Sequence, residues 1–198
     1  MQYNRENPKI DFVKGRKPSS LNFLCIDEKE NAIDSLVMAT KFLESVNSDI
    51  YHWKWIVIAL HNALYGFMIC ALKKGNPDNV CKYDKRQEKY TRWLISFRTA
   101  LERVQSGNHI IGHVEAKPIQ LTNEQTRSIK VLTELLRNNF EHFVPMGWSI
   151  EISGMPAIVR SIADIIDDLA FKTGTVFWEE HQLVEIKNAL EKLKQYRN

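Results

Sequence analysis

The chain has 198 residues, of which 44% are hydrophobic and 26% charged, so we expect one packed domain rather than wholesale disorder. Its net charge of +3 permits contact with an anionic polymer, but dedicated nucleic-acid-binding proteins are usually more basic. The three cysteines, Cys25, Cys70 and Cys81, lack CxxC spacing, which argues against a disulfide framework and a zinc knuckle.

Residues 1–26 are predicted to form an extended, partly basic arm. Prolines and a glycine separate its lysines and arginine, and both residue types discourage a helix. The arm begins without the apolar stretch of a signal peptide, so a reducing, cytoplasmic location is expected. Residues 27–198 are predicted to form a single helical domain whose first helix begins after Asp27, a suitable N-cap residue, and ends at 47–49.

The second predicted helix, from about Ile50 to Lys73, is apolar on all sides. Between Trp55 and Leu72 it has no Asp, Glu, Lys or Arg, and this stretch is at the lower limit for a membrane span. Polar residues at its centre, including His61 and Asn62, would be penalised in lipid. The pattern therefore favours a central helix buried inside a bundle, and no membrane association is predicted.

Four more helices complete the predicted bundle. They cover about Tyr83 to Gln105, 122–143, Pro156 to Phe171 and Thr175 to Tyr196. A capping box at Thr122 and Gln125 opens the second of these, and 107–119 is expected to be a loop. A short extended or β segment is predicted near 146–153, where apolar and polar residues alternate. The predicted fold class is therefore all-α, an up-and-down helical bundle of about six helices.

The helix predicted over 122–143 has two apolar faces. At 100° per residue, one narrow stripe is expected to face the core and contains Ile129, Leu132, Leu136, Phe140 and Phe143. Asn138 and His142 are four residues apart and share a roughly opposite face with Val131 and Leu135. Apolar residues on that second face predict another buried contact, with a helix of the same chain or with a partner subunit.

The end of this helix concentrates groups suited to phosphate chemistry. Arg137 is a permanent cation that can hold a phosphate, and His142 can transfer a proton near neutral pH. Both Arg137 and His142 could instead have purely structural roles. Arg137 and Glu141 have the i, i+4 spacing of a surface ion pair, and a protonated His142 would stabilise the helix dipole.

The segment Leu136-Arg137-Asn138 through His142-Phe143 resembles the signature of the HEPN superfamily. That signature is Arg, a polar residue, three further residues and His at the end of a bundle helix, followed by an aromatic residue. The superfamily also has an earlier apolar helix with an embedded polar pair, and the helix that contains His61-Asn62 resembles it. Phe143 stands where many members have Gly-Tyr, and the chain from Pro145 onward resembles a family-specific elaboration. No nucleotidyltransferase domain accompanies the motif.

The resemblance implies a dimeric, metal-independent endoribonuclease that acts without a cofactor, in toxin–antitoxin systems or phage defence. His142 would be the general base or acid, and Arg137 would stabilise phosphoryl charge. Asn138 would orient His142 or the phosphate. His61, Asn62 and Glu141 are possible supporting residues, and Val131 and Leu135 would lie at the dimer interface. The implied partners are a second copy of the chain, RNA and an antitoxin protein. Because some members lack activity, a non-catalytic module that binds protein or nucleotide is the alternative.

Other motifs are weaker. His109 and His113 have the spacing of a metal pair, but Gly107 and Gly112 argue against the helix that would align them. The acidic residues Asp164, Asp167 and Asp168 are expected on a solvated helix face, with Arg160 spaced to pair with Asp164. Basic residues of the third predicted helix alternate with acids, which weakens a role along an RNA backbone. The sequence has no P-loop, GxGxxG, GxSxG or HExxH motif.

Overall fold

The computed structural model describes Leu24 and residues 26–110, 116–143 and 145–197. The predicted N-terminal arm lies, apart from Leu24 and Ile26, outside the described residues. Most of the described chain is helical, which confirms the predicted helical bundle. Its helices are α1 (Glu28–Ser45), α2 (His52–Lys73), α3 (Phe97–Val104), α4 (Asn123–Lys130, Val131–Arg137 and Asn138–Glu141 in succession), α5 (Met155–Asp167 continued by Asp168–Lys172) and α6 (Glu180–Gln195).

The two predicted helix starts with the clearest capping residues are confirmed. The Asp27 carboxylate accepts hydrogen bonds from the backbone N–H groups of Lys29 and Glu30, both at 2.9 Å. At the start of α4, Thr122 and Gln125 form the reciprocal capping box, with bonds of 2.9 and 3.1 Å. Such caps satisfy N–H groups that the first helical turn leaves without a partner.

Helix α2 lies at the centre of the core. It packs against α1, α3, α4 and α5, and this explains why its sequence is apolar on every side. Its contact with α1 is close, because a Cβ added at Gly66 would lie 2.7 Å from the Cβ of Ala32. Among the described residues, α2 is the single helix long and apolar enough to cross a membrane, and 67% of its most apolar window is buried inside the bundle.

The helix predicted from Tyr83 to Gln105 was wrong over its first half. A short 3-10 turn (Pro77–Val80) leads instead into an antiparallel hairpin of strands β1 (Cys81–Asp84) and β2 (Lys89–Leu94), and α3 begins only at Phe97. Asp84 starts the turn by accepting hydrogen bonds from the backbone N–H groups of Arg86 and Gln87. After the turn, the aromatic and β-branched residues of β2 favour a strand over a helix.

The segment near 146–153, predicted to be extended or β, forms no strand and is irregular throughout. Its aromatic residue contacts α4, because the ring centroids of Trp148 and Phe140 lie 5.1 Å apart. The segment thus covers the outside of the motif-bearing helix without adding a strand to the fold.

Helix α4 departs from regular α geometry between Val131 and Arg137, where it is a π-helix. Each π turn contains more residues than an α turn, so the assumed 100° step does not hold there. Ile129, Leu132 and Leu136 are buried as predicted. Phe143 was wrongly placed in the core stripe, because α4 ends at Glu141 and the Phe143 side chain is exposed.

Candidate functional site

His61 marks the inner side of the candidate site, on α2. Its side chain is buried, with 8% of its surface exposed. The ring stacks on Phe97, the first residue of α3, with centroids 4.8 Å apart and planes 18° from parallel. Its Nδ1 lies 3.4 Å from the Oδ1 of Asn62. These contacts fix the orientation of the imidazole ring, as expected of a polar group in a packed core.

Arg137 stands where the π-helical part of α4 returns to α geometry. Its Nη1 donates to Oδ1 of Asn138 at 3.1 Å, and its Nη2 forms an ion pair with Glu141. The expected i, i+4 pair of Arg137 and Glu141 is therefore present. The Nε atom of Arg137 is buried and makes no hydrogen bond within the described residues. Buried donors are seldom left unpaired, so this N–H group is an exception among the buried polar groups of the described residues.

His61 on α2 is close enough to Arg137 and Glu141 on α4 to interact with them electrostatically. Burial lowers the pKa of His61, and the charge of Arg137 lowers it further, whereas the hydrogen bond with Asn62 and the charge of Glu141 raise it. Burial is the largest of these effects, so the imidazole is neutral at neutral pH. The packing of α2 on α4 thus brings together His61, Asn62, Arg137 and Glu141, which the sequence separates by more than seventy residues.

His142 occupies a different position from the residues around Arg137. It is the C-cap residue of α4, and its backbone N–H donates to the carbonyl of Asn138 at 2.8 Å. Its side chain is exposed and makes no hydrogen bond or ion pair with any described residue. Asn138 is exposed as well, so both side chains reach solvent while the Arg137 guanidinium is partly enclosed.

Several exposed apolar side chains occur in the sequence near the end of α4. Leu135 is 56% exposed, and Phe143 and Met146 are also exposed. Val131 differs from Leu135, because it is half-buried and packs against the core. This contact within the same chain is one of the two alternatives predicted for the second apolar face of the helix. Of the two predicted interface residues, Leu135 is the one available to a partner.

Sequence reasoning missed two aromatic residues of the site. Phe97 covers one face of His61, and Tyr65 lies 5.9 Å from Phe97 between ring centroids. Tyr65 could have been found, because it lies one helical turn beyond His61 on α2. Phe97 carried no such signal, since its helix was predicted to begin fourteen residues earlier, at Tyr83.

The remaining candidates form no site in the described part of the chain. No group of three or more metal-ligating side chains occurs there, His109 is exposed, and His113 lies outside it. Two of the three clustered aspartates are paired with Lys194, at 2.9 Å from Asp164 and 3.0 Å from Asp167. Arg160, expected to pair with Asp164, instead donates to the carbonyl of Tyr196 at 2.8 Å.

Comparison of the chain with protein-family models, with curated proteins and with solved structures finds no match. The HEPN resemblance and the activity that it implies therefore remain predictions from the motif.

Proposed function

We propose that this chain is a metal-independent endoribonuclease of the HEPN type, whose site is completed by a second copy of the chain. The observation that carries the proposal is the state of Arg137. Its guanidinium is held by Asn138 and Glu141 and is partly enclosed, five residues before the exposed His142 at the end of the same helix. A fixed cation and an accessible imidazole near the same helix end suit a phosphodiester substrate.

The chemistry uses the ribose 2′-hydroxyl as nucleophile, so RNA is the substrate and DNA is not. The 2′-oxygen attacks the adjacent phosphorus, the bond to the 5′-oxygen breaks, and the products are a 2′,3′-cyclic phosphate and a 5′-hydroxyl. His142 accepts the proton from the 2′-hydroxyl or donates one to the leaving oxygen. Arg137 balances charge on the phosphoryl oxygens, and Asn138 orients the phosphate. His61 is buried close enough to Arg137 for its pKa to respond to that charge.

A second chain supplies what one chain lacks in this proposal. One imidazole must act as base and another as acid, and each chain has one exposed histidine at the end of α4. The exposed apolar side chains of Leu135, Phe143 and Met146 around that end support a contact that would bury them. A toxin–antitoxin or phage-defence setting, with an antitoxin as partner, is part of the same prediction.

A non-catalytic module that binds protein or nucleotide is the second candidate. It is favoured by the ion pair with Glu141, which already neutralises Arg137, and by the absence of any hydrogen bond from the His142 side chain to the described residues. In this case a ligand would need only the exposed surface at the end of α4.

The decisive experiment is cleavage of a fluorophore-quencher RNA by purified protein in EDTA. We expect the wild type to produce 2′,3′-cyclic phosphate ends and His142→Ala to reduce the rate by about 10²–10⁴-fold. His181→Ala is the matched control, because His181 is also exposed but lies at the start of α6. Cleavage by His142→Ala at the wild-type rate would rule out the catalytic role. A wild type that does not cut RNA would favour the binding module.

Assembly is tested separately with Leu135→Glu. A buried charge at a subunit contact is costly, so the variant should be monomeric in multi-angle light scattering while the wild type is dimeric. Val184→Glu on α6 is the control, since Val184 is exposed to a similar degree, 53% against 56% for Leu135. A monomeric wild type at micromolar concentration would refute the composite site.

A further inference from the structure

The hairpin of β1 and β2 is exposed along most of its length. Every residue from 81 to 94 is exposed except Cys81, Asp84 and Thr91, which are half-buried. Its base is closed by a 2.9 Å hydrogen bond from the backbone N–H of Ile95 to the carbonyl of Val80, and both of these residues are buried in the core of the bundle. Because strands with two open faces gain little from burial, the stability of the fold does not explain the side chains on this hairpin.

Aromatic rings are the first unexplained feature. Trp93 is 75% exposed, and Tyr83 and Tyr90 are about half exposed and form an edge-to-face pair with centroids 5.2 Å apart. The strand register shifts between Cys81 and Tyr83, and a bond of 3.1 Å from the Trp93 N–H to the Thr91 hydroxyl holds the irregular part of β2. Such irregularities re-aim side chains, and here the indole is presented to solvent.

Positive charge is the second feature. The hairpin has five basic residues against two acidic ones, so its net charge of +3 equals that of the whole chain. One of the acids, Asp84, uses its carboxylate to accept the turn N–H groups of Arg86 and Gln87, at 2.8 and 3.3 Å. The basic residues are Lys82, Lys85, Arg86, Lys89 and Arg92, and all of them are exposed.

The base of the hairpin lies against the candidate site. The Tyr65 hydroxyl donates to the carbonyl of Ile95, the residue that follows β2. Two residues further on, Phe97 stacks on His61, whose pKa responds to the charges of Arg137 and Glu141. The hairpin therefore leaves the bundle next to the residues assigned above to phosphate chemistry.

We propose that this hairpin is a binding arm for single-stranded RNA, with unpaired bases stacked on Trp93 and Tyr90 and the basic residues on the phosphate backbone. Interleaved rings and cations suit an unpaired strand, because its bases offer open π-faces next to its charges. A duplex hides those faces, and an apolar protein surface would leave five cations without partners. The inference rests on the proposed function for its substrate class, and it assigns that substrate a site outside the motif.

Binding is measured by fluorescence anisotropy with a labelled oligodeoxythymidylate of about 12 nucleotides, a length that suits known single-strand sites. This probe lacks the 2′-hydroxyl and cannot be cut. Trp93→Ala should raise the Kd about tenfold, the usual effect of removing one stacking ring. Tyr51→Ala is the control and should leave the Kd unchanged, because Tyr51, the N-cap residue of α2, is outside the hairpin and as exposed as Trp93, 79% against 75%.

Charge is tested with the double variant Lys85→Glu and Arg86→Glu at the turn. Loss of two phosphate contacts should reduce the slope of log Kd against log salt by about 1.4, since each contact to a single strand contributes about 0.7. The control is Lys41→Glu with Lys187→Glu, which makes the same change in net charge at exposed positions on α1 and α6. An equal loss of slope in both double variants would mean a non-specific charge effect and would overturn the inference.

The outcomes separate this inference from the proposed activity. Hairpin-dependent binding of the probe supports the arm even if the wild type does not cut RNA, in which case only the catalytic proposal fails. A wild type that cuts RNA through His142 but binds the probe equally well with Trp93→Ala overturns the arm and leaves the catalytic proposal intact. A wild type that binds neither this probe nor the equivalent oligouridylate also overturns the arm and points to a protein-binding hairpin.

Discussion

Helix α2 and the hairpin of β1 and β2 are both rich in aromatic and apolar residues, yet one is the centre of the core and the other is surface. On α2, Phe67 is 0% exposed and lies 5.4 Å from Trp178 between ring centroids. On the hairpin, Trp93 is 75% exposed. The difference lies in the neighbours along the chain. The middle of α2 has no charged residues, whereas basic residues separate the rings of the hairpin.

Aromatic content alone therefore does not identify a core. A buried helix can be apolar on all sides because other helices cover each face. A hairpin with cations between its rings cannot be buried, since each charge would have to leave water. The comparison predicts that α2 contributes mainly to stability and the hairpin mainly to binding, and the following measurements test this difference.

The largest expected effect on stability is that of Phe67→Ala. Loss of a fully buried ring should lower the free energy of unfolding by about 3–5 kcal/mol. Trp93→Ala removes a larger side chain from an exposed position and should change it by no more than about 0.5 kcal/mol. Urea unfolding followed by circular dichroism measures both. Similar losses in the two variants would show that the hairpin is part of the core.

Gly66→Ala tests the close approach of α2 to α1. The added Cβ would lie 2.7 Å from the Cβ of Ala32, so the helices must move apart, at a cost of about 1–3 kcal/mol. Gly107→Ala is the matched control, because a Cβ there would meet no atom within 4 Å. Thermal unfolding of the two variants should show a lower Tm for Gly66→Ala alone. An unchanged Tm would mean that this helix contact is looser than described.

Asp84→Ala should weaken the hairpin turn while leaving the bundle intact. It removes an acceptor used by two backbone N–H groups, and each bond is worth about 1 kcal/mol. Native-state hydrogen exchange should be faster in residues 81–94 and unchanged in α2. Asp34→Ala, an exposed position on α1, is the control for loss of charge. Faster exchange throughout α2 would contradict the separation of the two regions.

The dependence of stability on pH tests the burial of His61. Burial, followed by the charge of Arg137, lowers its pKa below the ordinary value of 6.5 in the folded state. The unfolded chain therefore binds a proton first, so this contribution to stability is complete above pH 6.5 and is lost as the pH falls through the folded-state pKa. His61→Gln should show a smaller loss of unfolding free energy between neutral and acidic pH. Parallel pH profiles would mean that His61 is solvated.

The features predicted correctly from sequence depend on neighbours along the chain. Asp27 and Thr122 cap helices through bonds to N–H groups two or three residues away, so the sequence contains all that is needed. The buried positions of Leu132 and Leu136 follow from spacing. The helical class of the fold, the apolar central helix and the pairing of Arg137 with Glu141 were accessible in the same way.

The hairpin was not predicted because its local charge pattern suits a helix. Glu88 lies three residues after Lys85 and four before Arg92, which are the spacings of opposite-charge pairs on a solvated helix face. What decides against the helix is the pairing of Tyr83 with Tyr90 across a turn. Strand pairing joins residues that are not neighbours in sequence, so an analysis of helical periodicity along one segment does not detect it.

The sequence by itself determined the helical class, the helix starts at Asp27 and Thr122, and the set of phosphate-suited residues from Arg137 to His142, because each depends on local spacing. Tertiary structure alone decided which residues gather around that set. Packing of α2 on α4 places Arg137 and Glu141 where their charges act on His61. In the π-helical part of α4, Leu135 is exposed whereas Val131 packs against the core. Both depend on contacts between distant segments, where packing overrides local periodicity.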